Sequence, residues 1–307
     1  MNILCLTPVD HVHGVRAKLS SLGKLVYAPL ETNVLLIKDM IVSNGISVLY
    51  INPNKQRYVI GDNLLDGTSV QIIVTVSRGT NHIDMDYCEQ NSIGVIHLNR
   101  DPVVARNSAT AEHALALTLA LLKKLPQAYD SVKNGEWDYS PFIGHQLSSL
   151  TVGVIGMGSL GSMYASYCRA IGSVVLECTS QTSGSFENVM SCSDVISLHI
   201  PLTEQNYHFV DVLAIKKVKG GGAFIINTSR GEIVDEEAIV NGLRSGQIKG
   251  YATDVLSNEK EDISNNVIVK AQKEGLNIII TPHIAGTCFE SAEVAHFRAI
   301  ELLERQK

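Results

Sequence analysis

The sequence predicts an α/β fold of two doubly wound domains, one inserted into the other, and three observations carry that prediction. Short runs rich in β-branched residues alternate with helix-like stretches, the pattern of buried parallel strands and their crossover helices. This pattern stops after position 98, where a long apolar helix-like segment intervenes, and begins again at Thr151. At 307 residues the chain has room for two such layers.

Residues 3–6, 48–51, 72–76 and 95–98 read as the strands of a first layer, with helical segments between them. Segment 109–124 reads as one long helix, apolar almost all round, and is expected to lie buried between domains or subunits. Asn134-Gly135 opens a loop that carries Trp137. The second layer begins with a strand at 151–155 and a helix at 162–171, then a strand at 174–179. Further buried runs follow at 223–227, 251–255 and 278–282. The last residues, 288–307, form an amphipathic helix that is expected to return to the first layer. The expected domains are therefore 1–98 with 286–307, and 99–285 inserted between them, with two crossings of the chain as a hinge.

Composition excludes several classes. With 45% apolar and 18% charged residues the chain is ordinary for a globular protein. A net charge of −6 offers no basic surface for nucleic acid or an anionic membrane, so neither is an expected partner. No run approaches the roughly 20 apolar residues of a spanning helix. The six cysteines are scattered with no CxxC pair, neither a disulfide framework nor a metal site. Reduced thiols and a cytoplasmic location are the expectation.

The segment Gly156-Met157-Gly158-Ser159-Leu160-Gly161 lies between the strand at 151–155 and the helix that follows. In that context Gly156 permits a tight turn, Gly158 lets backbone approach a pyrophosphate, and Gly161 lets helix and strand pack closely. Amides around Ser159 and Leu160 would bind the phosphates at the helix N-terminus. An acid should end the next strand and bond the adenosine ribose, but the position falls on Thr179. Glu177, two residues earlier on the same face, is the alternative. No Arg or Lys occurs from 177 to 185, which favours NAD without excluding NADP.

Three further polar groups sit at or just past strand ends: Arg230, Glu259 and His283. In an open parallel sheet those ends line one crevice. An arginine, a carboxylate and a histidine gathered there suit holding a carboxylate substrate and moving one proton. With a dinucleotide beside them, hydride and proton together mean a dehydrogenase.

The segments 193–203, Ile226-Asn227-Thr228-Ser229-Arg230-Gly231 and Thr281-Pro282-His283-Ile284-Ala285-Gly286 resemble signature motifs of the D-isomer-specific 2-hydroxyacid dehydrogenases, in the same order. The resemblance covers nearly the whole chain and is strongest from 151 to 290. It implies a Rossmann-like dinucleotide domain inserted into a flavodoxin-like substrate domain. It further implies that Arg230 binds substrate carboxylate and carbonyl, that His283 is the proton donor and acceptor, and that Glu259 orients its imidazole. A Lys260 replaces the family's usual proline after the acid. Asp254 resembles the residue near the nicotinamide carboxamide, and Thr228, Ser229, Pro201 and Gly286 fall in motifs that line the cofactor. His199 either borders the cofactor or is a satisfied core histidine, and His113 reads as structural or interfacial. The loop Ser77-Arg78-Gly79-Thr80 resembles the one whose amides hold the substrate carboxylate. Its Arg78 either reaches a distal anion such as a phosphate or is a solvated surface arginine.

One departure from the family is plain. Only residues 180–193 separate the ribose-binding position from the Leu-His-x-Pro motif, where an extra strand and helix are usual. The adenine side is expected to be trimmed or differently built. The resemblance implies an NAD-dependent interconversion of a small 2-keto acid and a D-2-hydroxy acid, with D-3-phosphoglycerate one candidate. It also implies a homodimer through the helix at 109–124 and the loop around Trp137. Because the family includes transcriptional co-repressors, the alternative is a dinucleotide-sensing regulatory or scaffold protein of the same fold.

Overall fold

The computed structural model describes residues 1–29, 31–53, 58–181, 184–259 and 261–306. The chain divides into two compact units, Met1–Asn107 with Thr287–Lys307, and Ser108–Gly286.

The first unit opens with β1 (Asn2–Cys5), α1 (Val15–Leu22), β2 (Lys24–Tyr27), α2 (Val34–Ser43) and β3 (Val48–Ile51). Next come α3 (Asp62–Leu65), β4 (Ile72–Thr75), α4 (Met85–Gln90) and β5 (Gly94–Ile96). All strands are parallel, in the order β2-β1-β3-β4-β5. This is the flavodoxin order. Alternation along each strand feeds two cores. Ile3, Cys5, Val48 and Tyr50 enter one, while Leu4, Leu49, Ile51 and Ile73 enter the other.

The second unit begins with α5 (Ala109–Leu122) and α6 (Leu125–Lys133), separated by Lys124 in a left-handed conformation at φ 51°. It continues with β6 (Thr151–Ile155), α7 (Ser159–Ile171), β7 (Val174–Cys178), α8 (Ser185–Cys192) and β8 (Val195–Leu198). After these come α9 (Val212–Lys216), β9 (Ala223–Asn227), α10 (Glu236–Ser245), β10 (Ile248–Thr253), α11 (Val267–Lys273) and β11 (Ile278–Ile280). The sheet is again parallel, ordered β11-β10-β9-β8-β6-β7. In order of appearance this reads 2-1-3-4-5-6, whereas the usual dinucleotide-binding order is 3-2-1-4-5-6. Among the described residues no strand lies between β7 and β8. Instead α8 carries the chain straight back across β6, and β7 is left as the sheet edge.

The last helix, α12 (Phe289–Glu304), buries Ala299, Ile300 and Leu303 with Val15 and Leu19 of α1 in the first unit. The boundary expected after 98 lies after 107. Val104 joins the first unit's core, and Asp101 holds Arg298 of α12 at 2.8 Å. The helix expected between domains or subunits covers its own sheet with its buried face. Ala111, Ala114, Leu117 and Leu121 pack with Val152, Tyr164, Phe224 and Ala252. Among the described residues no helix is long and apolar enough to cross a membrane.

Candidate active site

One row of paired residues crosses the carboxyl edge of the second sheet: Cys178, Ile155, Leu198, Asn227, Thr253 and Ile280. The predicted site residues of this unit hang from that row. Gly156 and His199 follow it by one residue, and Arg230 and His283 by three. Such an edge is where open parallel sheets bind ligands.

The glycine turn is built as a phosphate cradle. Gly156 has φ 96°, and a Cβ there would lie 2.6 Å from the His199 carbonyl oxygen. A Cβ on Gly161 would lie 1.9 Å from the Gly156 oxygen, so helix and turn are in backbone contact. At Gly158 a Cβ would meet nothing within 4 Å. Gly158 caps α7 without a side chain, and no acid occupies the first helical turn. Among the described residues the Ser159 and Leu160 N–H groups have no partner, which favours an anion there. On the neighbouring strand end, the Thr228 hydroxyl is buried with no partner among the described residues. An unpaired buried hydroxyl costs about 1–3 kcal/mol, so a bound group that bonds it would be favoured. Open glycine, uncapped amides and orphan hydroxyl all fit a dinucleotide.

The predicted histidine–carboxylate pair is formed. His283 Nδ1 lies 2.6 Å from Glu259 Oε1, which turns Nε2 away from the carboxylate. His283 is half-buried and has φ 54°, a strained backbone for a side chain with a Cβ. Two bonds impose that conformation, its N–H donating to the Asp254 and Thr281 carbonyl oxygens at 2.9 and 3.0 Å. The buried Asp254 carboxylate does more. It accepts from the Thr281 hydroxyl at 2.5 Å, the Ile284 N–H at 2.9 Å and the Ala285 N–H at 2.7 Å. His113 of α5 donates or accepts at Thr281 Oγ1, 3.0 Å away, and stands 3.5 Å from Asp254. Burial pushes the Asp254 pKa up, but the bonds from His113, Thr281, Ala285 and Ile284 together hold it below the usual value. Asp254 therefore anchors the segment bearing His283.

Arg230 and Glu259 are joined through backbone. Asn227 donates to the Arg230 carbonyl at 2.9 Å and accepts from the Ser229 N–H at 3.0 Å. The Ser229 hydroxyl donates to Leu198 O at 2.9 Å, tying this loop to β8. One Arg230 nitrogen donates to Ser229 O at 2.7 Å, leaving the rest of its fork. Gly231 lies so close to the 256–257 backbone that a Cβ would fall 2.0 Å from the Leu256 carbonyl carbon. Glu236 then accepts from Ser257 N–H at 2.8 Å and from Asn266 at 2.6 Å. The sequence carried no sign of Glu236: its role depends on a segment twenty residues away folding back onto α10.

The remaining predicted residues have mixed fates. The half-buried His199 ring lies 2.9 Å from Ser197 Oγ and packs on Tyr164, and burial pulls its pKa down to about 4. The ring packs within the unit while the His199 backbone walls the glycine turn. Glu177 is ion-paired with Arg169 of α7. Pro201 accepts from Asn206 at 2.9 Å, and Gly286 stands beside Thr110. In the first unit, Ser77 donates to Gly79 O at 2.7 Å, and Thr75 links Ser77 to the buried His82 at 2.8 and 2.9 Å. These bonds close the loop on itself. Among the described residues the N–H groups of Arg78, Gly79 and Thr80 have no partner. Arg78 is half-buried and partly engaged. Its guanidinium donates to Val104 O at 2.7 Å, and burial lowers its pKa.

A parallel doubly wound sheet, the glycine turn and the uncapped α7 define the second unit as a dinucleotide-binding domain of the doubly wound class, its strand order departing from the usual one at the β7 side. Residues 115–285 match the model of the D-isomer specific 2-hydroxyacid dehydrogenase, NAD binding domain. The chain is 33% identical over 235 residues to D-3-phosphoglycerate dehydrogenase of Archaeoglobus fulgidus, covering 73% of this chain and 42% of that one. It is 31% identical over 248 residues to glyoxylate reductase of Thermococcus litoralis, covering 75% and 72%. D-lactate dehydrogenase of Aquifex aeolicus, solved with NAD and lactic acid, superposes with a TM-score of 0.77 at 27% identity, covering 100% and 95%. The chain belongs to the D-isomer specific 2-hydroxyacid dehydrogenase family. It spans less than half the length of the Archaeoglobus relative.

Proposed function

We propose that the protein interconverts a small 2-keto acid and the corresponding D-2-hydroxy acid with NAD as hydride carrier. The observation that carries this reading is the Glu259–His283 pair on the same sheet edge as the open glycine turn. A nicotinamide bound there would supply hydride to C2 of the keto acid, or accept it in reverse. Arg230 holds the substrate carboxylate and carbonyl with the guanidinium nitrogens not given to Ser229. His283 Nε2 delivers the proton to the carbonyl oxygen, so hydride and proton together convert C=O to CH–OH. Glu259, on Nδ1, fixes the ring and balances the imidazolium charge. Gly156, Gly158, Ser159, Leu160 and Gly161 hold the pyrophosphate, and Thr228 bonds the bound nucleotide.

Among substrates we include D-3-phosphoglycerate. Arg78 keeps donors beyond the one on Val104, and a curated relative carries that activity. A homodimer is part of the reading, supported by the exposed Tyr129, Trp137, Tyr139 and Ile143 in the second unit. Six free cysteines support a reducing compartment, the cytoplasm.

The test is initial-rate NADH oxidation with glyoxylate, pyruvate, hydroxypyruvate, 2-oxoglutarate and phosphohydroxypyruvate, beside His283→Ala. A rate with one acid, lost in a variant that still binds NADH, supports the assignment. Bound NADH with no turnover of any acid would favour the sensing alternative. A His283→Ala enzyme of near-normal rate would sink the role given to the imidazole.

A further inference from the structure

Among the described residues the end of β7 offers no unpaired carboxylate. In a dinucleotide-binding sheet an Asp or Glu at that point bonds the ribose hydroxyls of the adenosine half, and its charge repels a 2′-phosphate. Here Thr179 stands one residue past Cys178, half-buried. Glu177 does not replace the acid, because Arg169 of α7 holds and neutralises its carboxylate. From 178 to 185 the sequence contains no charged residue of either sign.

The missing strand removes the other source of selection. With β7 at the sheet edge, among the described residues no following strand end adjoins this corner. What adjoins it is the start of α8. The Ser185 hydroxyl donates to the Thr179 carbonyl at 3.2 Å and reaches Cys178 Sγ at 3.5 Å. Gly184 caps α8 without a side chain, and the first-turn acid Glu187 is paired with Lys217 at 2.9 Å.

We propose that the adenosine subsite does not select against a 2′-phosphate, so that the protein takes NADPH about as well as NADH, with Thr179 the position that sets this tolerance. This rests on the reading of the second unit as a nucleotide-binding domain and names its cofactor range.

Calorimetric titration of the full chain with NADH and with NADPH, without substrate, tests it directly. The two dissociation constants are expected to agree within about tenfold in the unaltered protein. Thr179→Asp, or Thr179→Glu if the first variant folds poorly, should weaken NADPH relative to NADH by roughly tenfold or more. Glu177→Gln should leave the ratio unchanged. An unaltered protein that prefers NADH by more than about a hundredfold would overturn the proposal. So would a ratio untouched by an acid at 179, or one shifted toward NADPH by Glu177→Gln. Failure of both nucleotides to bind would bring down the dinucleotide reading itself, an outcome distinct from selective NADH binding.

Discussion

His283 occupies a backbone conformation that its own Cβ disfavours, and Asp254 is the residue that keeps it there. The Asp254 carbonyl takes the His283 N–H, while the carboxylate takes two further N–H groups and a hydroxyl. Asp254→Asn keeps the shape but turns one acceptor into a donor that faces an N–H. We expect a loss of about 1–3 kcal/mol in stability and a fall in turnover as the Glu259–His283 pair loosens, with nucleotide affinity kept. Equilibrium unfolding and kcat measured together check it; unchanged values of both would contradict the anchoring role. Nothing in the sequence separates an Asp that meets a ligand from one that meets its own chain, because the partners at 281–285 lie a full strand away. The histidines show the same limit. His296 is buried in the first unit against Tyr50, 2.9 Å from its hydroxyl, with the His11 ring 6.3 Å off. Burial, and then His11, pull its pKa down to about 4. The unfolded chain therefore binds a proton between pH 6.5 and 4 that the folded one refuses, so stability is full above 6.5 and drains as pH falls to 4. His296→Gln should flatten that acid limb by up to about 1.4 kcal/mol per pH unit. Urea unfolding at pH 7, 6 and 5 measures the slope, and identical slopes would refute the attribution.

Among the elements, the turn between β6 and α7 and the loop after β9 use glycine for opposite reasons. A Cβ on Gly158 meets nothing in the protein, whereas one on Gly231 would strike the backbone that leads to Glu259. Gly158→Ala should therefore leave the melting temperature unchanged and weaken NADH by about tenfold or more, since only a bound phosphate would meet the methyl. Gly231→Ala should cost about 1–3 kcal/mol in stability through overpacking. Turnover should fall as well, while NADH still binds. If Gly158→Ala bound NADH normally, the phosphates would not run over that turn. The strands and the glycine turn were legible because period and spacing are local properties. The end of the long helix was not. Pro126 marks a break without fixing where the helix stops: α5 ends at Leu122 and Lys124 enters the left-handed region before α6 begins. The shortened segment after 179 did foretell a trimmed edge, since 14 residues between positions 180 and 193 cannot supply both a strand and a second crossover.

At the scale of the whole molecule, the unresolved demand is on the surface. Tyr129, Trp137, Tyr139 and Ile143 are 70%, 91%, 83% and 71% exposed, all within one stretch of the second unit. Single exposed apolar side chains need no explanation, but several aromatics in one short stretch mark an interaction surface. The occupant that asks least of other molecules is a second copy of the same chain, because two-fold pairing covers the same patch on both partners. Trp137 is the sole tryptophan, so the protein carries its own reporter. In a dimer its emission should be blue-shifted at micromolar concentration and move to the red on dilution, in step with a halving of mass by light scattering. Trp137→Ala with Tyr139→Ser should give a folded monomer. The double variant should also keep the nucleotide site, since the turn at 156–161 is formed by β6, α7 and the end of β8 within one chain. A red emission at every concentration, with a monomer mass throughout, would leave this apolar stretch to a different partner and remove the homodimer from the reading.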